Sequence, residues 1–500
     1  MTPVSYFAVF RALGAETVLV VTALVVLTLD LAALRRAALP VRMRRLGAVT
    51  VLGLLAALIP LWAQMNHPRQ VLLGGTLAVD GLNLFFKLVI VVLALVTVAI
   101  SMDYDVGRHV GEYFAVLLFG AIGMMLLISA EELITIFVAL ELTSISLYIL
   151  TAFHKGELRS QEAAVKYFMF GAISSAFLLF GLSYVFGATG ATSLQGIREF
   201  GKTSTVGGMG PLLGVGLLFV LVGFGFKVAI APFHLWAPDA YEGAPTPVTA
   251  YIATGSKVAS FFVLLKVLFV GFAGLEGSAF WGRFSSGWTM LVALTGALSM
   301  VLGNCAAIVQ HNVKRLLAYS SIAHAGYIFI GLTAATRMGA TAVLFYVIVY
   351  ALTNLGAFGV VAALSSRAGG DEMRDFDGMA RRAPFLSLLM LIFVLSLAGI
   401  PPLGGFFGKF YLFAAAIGCD VENFGLLWLV VLGIAMSAVS LYYYLVLLKH
   451  IYVVEGADQG RVRTPTYLNV VLAFLAVAVV ALGIFPDPIL ALLNGLLAAL

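Results

Sequence analysis

Apolar stretches near or above the ~20 residues that a helix needs to cross a bilayer recur along the whole sequence. Fourteen can be marked, at about 14–34, 46–65, 77–101, 112–130, 132–153, 162–187, 211–231, 248–273, 287–309, 314–334, 340–364, 385–418, 425–448 and 468–486. The longest polar connection between them is about two dozen residues, so no separate soluble domain is expected. A chain with 62% hydrophobic and 11% charged residues is not a soluble protein. The expected fold is an all-α polytopic membrane protein of about 14 transmembrane helices, helices 1 to 14 in chain order. The first run has a single Arg before it and no small-residue cleavage site, which reads as a retained helix rather than a signal peptide.

Charge placement tests the count, because Lys and Arg crowd cytoplasmic loops. If the 35–45 loop is cytoplasmic, seventeen of the 29 Lys and Arg fall on that face and six on the other. The remaining six, Lys87, Lys166, Lys227, Lys257, Lys266 and Lys409, lie inside spans. The bias predicts both termini on the periplasmic side. The net charge of +5 is then a topology signal and calls for no nucleic-acid partner. Cys305 and Cys419 are far apart and no C-x-x-C spacing exists, so neither an iron–sulfur cluster nor a structural zinc is expected. No G-x-G-x-x-G follows a strand, and the chain itself carries no redox centre, cofactor or metal by this reading.

Ionisable residues inside spans carry the functional signal, because each is costly at membrane depth. Glu141, in FVALELTSISLYIL of helix 5, lies nine residues beyond Glu132, roughly 13 Å deeper at the helical rise. Buried and ionised, it calls for a cation beside it, and Lys227 is the natural candidate. The pair is either a proton switch or a static tie between helices. Glu131 and Glu132 mark the preceding turn and are expected to be solvated. Lys166, one turn into helix 6, either joins a proton path or snorkels to water. Lys257 sits about ten residues into helix 8, and Lys266 beyond it reads as an end lysine. A lysine held in such surroundings can release and regain a proton, which an exposed one does not. His234 and His324 are each either relays or hydrogen-bonded structural histidines. Lys87 either snorkels or makes a polar contact inside the bundle, and Asp30 and Asp80 read as span-end residues.

Two spans cannot be straight. Residues 223–251, GFGFKVAIAPFHLWAPDAYEGAPTPVTAY, contain Pro232, Pro238, Pro245 and Pro247, each of which removes a backbone donor. In LSLAGIPPLGGFFGKFYLF, Pro401 and Pro402 interrupt helix 12 ahead of Lys409. GFGFK (223–227) echoes GFFGK (405–409), and TSIS (143–146) echoes SSIA (320–323). The echoes suggest two five-helix units, helices 4–8 and 9–13, with helices 7 and 12 discontinuous. An odd number of helices per unit would invert the second copy, a transporter architecture. The expected layout is 1–111 for helices 1–3, 112–273 and 287–452 for the two units, and 465–500 for helix 14 and a tail. The charged loop 366–383 reads as either a docking site for a neighbouring subunit or a solvated connection, and 188–210 as a surface excursion.

HLWAPDAYEGAPTPVTA (234–250) resembles the signature of the antiporter-like subunits of respiratory complex I, specifically the subunit N family. Related segments in the subunit L and M families and in Mrp antiporters read W-L-P-D-A, where this chain has Ala237 and Tyr241. The resemblance runs from roughly residue 80 to 450. It implies a proton-translocating membrane subunit of NADH:quinone oxidoreductase, with the family's key residues on Glu141, Lys227, Lys257 and Lys409. Lys409 stands where subunit M carries glutamate. It further implies FMN, iron–sulfur clusters and quinone on other subunits, neighbours of the M and K type, and a bacterial inner membrane. The alternative is an Mrp-type or stand-alone cation/proton antiporter.

Overall fold

The computed structural model describes residues 6–65, 67–203, 210–368, 370–456 and 460–498. Part of the 188–210 excursion (204–209), one residue of the charged loop (369) and both chain ends lie outside the described residues. Thirteen helices among those described are long and apolar enough to cross a bilayer. The span 385–418, expected to be interrupted at Pro401 and Pro402, is two shorter helices, Pro384–Ala398 and Gly404–Gly418. Helix 3 begins later than its hydropathy suggests. Leu77–Val79 pairs antiparallel with Gln70–Leu72 around Gly74 and Gly75, whose positive φ supplies the turn. Asp80 then caps Gly81–Ser101 by accepting the Asn83 N–H at 2.8 Å. The polar excursion contains a helix, Leu194–Thr203, and the tail another, Asp487–Leu497.

The chain divides into two compact units. The first comprises Met1–Thr205, Val215–Gly223 and Gly243–Gly274. Three ion pairs brace it, and each bears on a sequence expectation. Asp30, near the end of the span Gly14–Leu34, is gripped by Arg42 with two bonds of 2.9 and 2.7 Å, and the Gly111 N–H adds a third at 3.0 Å. Lys87 is fully buried with its Nζ 2.7 Å from Glu16, so it makes the polar contact and does not snorkel. Lys266 is buried rather than at a water-facing end. It meets Glu131 at 2.8 Å and donates to Ile128 O and Ala130 O at 3.3 and 3.0 Å. Those carbonyls close the helix Val110–Ser129, whose last acceptors lack intrahelical partners and favour a cation. Glu131 is accordingly mostly buried and not solvated.

The second unit comprises Val206–Gly214, Phe224–Glu242 and Leu275–Leu500. Its helices Trp288–Ile308 and Val313–Thr333 touch backbone to backbone. A Cβ on Gly303 would lie 2.6 Å from Ala323 N, and one on Gly326 2.7 Å from Gly296 O. The charged loop folds back on this same unit. Asp371 pairs with buried Lys314 at 2.8 Å, and Asp377 with His450 at 2.5 Å. Much of its charge is thereby engaged internally.

Both helix breaks lie in this unit and share one design. Pro211–Val228 ends in Ala229 with φ 59°, and Ile230 N–H returns to Gly225 O at 2.9 Å. Pro384–Ala398 ends in Gly399 with φ 83°, and Ile400 N–H returns to Leu395 O at 3.0 Å. The matching residues are 170 apart in each case, and each break then contains a cis X-Pro bond, Ala231-Pro232 and Pro401-Pro402. This register differs from the echo of GFGFK with GFFGK. Lys227 lies before its break and Lys409 after its own, so the two lysines occupy opposite sides of equivalent interruptions. Pro238 is also not a breaker. It sits in the first turn of the short helix Trp236–Gly243, where a missing N–H costs nothing. Elsewhere, Leu158–Thr189 and Arg337–Ala368 each have 32 residues. The loops before these two helices' neighbours repeat a ladder as well. Leu133 N–H bonds Thr192 O and Leu194 N–H bonds Glu131 O, as Val313 N–H bonds Asp371 O and Met373 N–H bonds His311 O.

Candidate proton-transfer site

The break after Ala398 builds the best-defined polar site in the second unit. Ending a helix leaves carbonyls without intrahelical donors, and apolar surroundings offer no water to satisfy them. Lys409, one turn into Gly404–Gly418, supplies the donors. Its Nζ bonds Leu397 O at 2.9 Å, Ala398 O at 3.3 Å and Ser437 Oγ at 2.9 Å. The ring of Tyr327 stands 4.8 Å from the same nitrogen, in cation–π range. Gly399 is needed twice over: for its positive φ, and because a Cβ there would meet Lys409 Cδ at 3.1 Å.

Tyr327 also joins Lys409 to His324, whose ring lies edge-on to it at 5.5 Å between centroids. Buried His324 is held between two hydroxyls, Nδ1 to Tyr346 Oη at 2.5 Å and Nε2 to Tyr444 Oη at 3.2 Å. Tyr444 Oη contacts Ser320 Oγ. Tyr443 Oη donates to Asn304 Oδ1, and Asn304 Nδ2 to Tyr327 Oη, both at 3.0 Å. A neutral imidazole donates from one nitrogen and accepts at the other, so one tyrosine gives and the other receives. Such an arrangement can pass a proton in either direction.

The other break holds different chemistry. Lys227 is buried in the last turn before it, 5.4 Å from the Phe226 ring centroid. Trp236 Nε1 donates to Phe226 O at 2.9 Å, and Ala231 N–H to Ser299 Oγ at 2.8 Å, so freed backbone groups are satisfied there too. His234 is half-buried within the break, with Pro232 two residues before it. Arg315, counted as a loop residue from sequence, instead donates from Nη1 to Asp239 at 2.6 Å and Glu242 at 3.0 Å. It ties the short helix Trp236–Gly243 to the first turn of Val313–Thr333. Two carboxylates three residues apart on one helical face were the available signal for such a cation.

In the first unit, Glu141 is half-buried and accepts from Ser175 Oγ at 2.5 Å. Lys257 is buried just after the π turn Ile252–Ser256. Lys166 is half-exposed and pairs with Glu162 at 2.7 Å, one turn back on its own helix. The structure thus links His324 and Lys409 through Tyr327, keeps Lys227 and His234 at the break after Val228, and leaves Lys166 half-exposed beside Glu162. Sequence reading missed Ser437, Arg315 and the tyrosines, because a hydroxyl-bearing ring in an apolar helix looks like any core aromatic.

The class defined by this fold is a multi-pass helical membrane protein with lysines buried at interrupted helices. The family model described as NADH:quinone oxidoreductase/Mrp antiporter, TM, matches residues 130–437. NADH-quinone oxidoreductase subunit N 2 of Acidobacterium capsulatum is 45% identical, covering 97% of this chain and 99% of the relative. Subunit N of Desulforamulus reducens is 44% identical over 90% and 91% of the two chains. A chain of respiratory complex I from Thermus thermophilus superposes with a TM-score of 0.76 at 35% identity, over 95% and 98%. A chain of the Mrp complex from Dietzia shares the fold, with a TM-score of 0.80 at 19% identity over 97% of each. The chain belongs to the NADH-quinone oxidoreductase subunit N family.

Proposed function

We propose that the chain is a proton-translocating membrane subunit of NADH:quinone oxidoreductase. Electron transfer from NADH to quinone on other subunits would drive protons through its buried Glu, Lys and His residues. The observation that carries this reading is Lys409. It is a buried amine among neutral acceptors, with no carboxylate among its partners in the described residues. An amine without a fixed counter-charge can alternate between charged and neutral forms, which a carrier requires. Resemblance to subunit N adds Glu141, Lys227 and Lys257. His324 gains support from its tyrosine contacts, His234 from its position in a break, and Lys166 has the weakest claim because Glu162 holds it. Lys257 would load from the cytoplasm and Lys409 discharge toward the periplasm.

FMN, iron–sulfur clusters and quinone belong to sibling subunits in this proposal. The neighbours are subunits of the M and K type, and the setting is a bacterial plasma membrane with both termini periplasmic. The matching breaks and the equal 32-residue helices support the proposed inverted units, helices 4–8 and 9–13. The test is proton uptake by vesicles containing the assembled complex. Glu141→Ala and Lys227→Ala should each lower the protons moved per NADH oxidised. Undiminished pumping in both would leave these charges a packing role, and salt-dependent exchange by the isolated chain would favour an Mrp-type antiporter.

A further inference from the structure

An ammonium donates three hydrogen bonds. Leu397 O, Ala398 O and Ser437 Oγ accept all three from Lys409, and the Tyr327 ring faces the same charge. A neutral amine needs something else: its lone pair must receive a hydrogen bond. Backbone carbonyls only accept, and an aromatic face offers no proton. Among these partners Ser437 alone can both accept and donate. It is also only part-buried, whereas Leu397, Ala398 and Tyr327 are buried.

We propose that Ser437, on the helix Leu427–Tyr452, is the relay through which Lys409 loses and regains its proton. The proposal rests on the reading of Lys409 as a carrier. In the forward step an N–H bond of the ammonium breaks and its proton binds Ser437 Oγ. The serine's own O–H proton leaves at the same time for a water molecule on its other side. Lysine ends neutral, serine unchanged and water as hydronium. The new O–H bond already points at the amine, so the serine hydroxyl donates into its lone pair and holds the side chain in place. Running the steps backward reloads the lysine.

The experiment compares Ser437→Ala, Ser437→Val and Ser437→Thr with Lys409→Met, in assembled complex reconstituted into vesicles. NADH-driven internal acidification is read alongside the amount of subunit incorporated. Ala and Val, lacking the hydroxyl, should slow acidification at least about tenfold, a floor below the roughly hundredfold or more that a positioned proton-transfer group contributes. Thr restores the hydroxyl in the shape of Val and should run within about twofold of the parent. A packing role predicts the reverse grouping, with Val and Thr behaving alike, and that result overturns the relay. Impaired Lys409→Met with unimpaired Ser437→Ala rejects the relay and leaves the carrier reading intact. Normal pumping by Lys409→Met removes both.

Discussion

Buried charge in this chain is handled residue by residue, and in two ways. Asp30, Lys87 and Lys266 each meet an opposite charge, while Lys409 meets neutral oxygens and the Tyr327 ring. A paired group is fixed by its partner, because removing either member strands the other in apolar surroundings. Lys87→Met should therefore destabilise the first unit by about 3–5 kcal/mol, since Glu16 has no other hydrogen-bond partner among the described residues. Lower subunit content in membranes and a lower unfolding temperature in detergent would register it, whereas Glu16→Gln with Lys87→Met together should recover much of the loss. That Lys87 either snorkels or takes a polar partner inside the bundle was legible from its depth in the span. Which acid supplies it was not, because Glu16 lies 71 positions away and sequence spacing says nothing of contacts between helices.

At the level of elements, the two interruptions were plain from Pro232, Pro401 and Pro402, since a missing donor in an apolar run has few outlets. Their register was not. Letter similarity paired Lys227 with Lys409, while the backbone pairs Ala229 with Gly399, because hydrogen bonding and φ define the turn and side chains do not. The pairing also exposes an inequality. Ala229 holds a left-handed conformation that costs an L-residue roughly 1–2 kcal/mol, and Gly399 holds it freely. Ala229→Gly should raise thermal stability by about 1 kcal/mol. Gly399→Ala should lower it by more than that, because the new methyl also presses on Lys409. Unfolding of the purified complex followed by temperature would check both. The Leu77–Val79 hairpin escaped the sequence reading for a related reason: its strand is as apolar as the helix that follows.

For the molecule as a whole, lysine and arginine placement predicted an even number of crossings, while length and composition alone find thirteen helices able to make one. The difference lies in the Pro384–Ala398 and Gly404–Gly418 pair. Fifteen residues rise only roughly 22 Å, short of a ~30 Å hydrocarbon layer, so neither half crosses alone. Counted together as one crossing, as the sequence reading has them, they would change the parity from odd to even. A fluorescent reporter that folds only in the cytoplasm should stay dark at the carboxyl end, and an external protease should cut tags at both ends in spheroplasts. A shielded amino-terminal tag beside an accessible carboxyl-terminal one would return the count to thirteen. A stitch made of two short pieces, rather than one long one, thus decides on which shore the chain comes to rest.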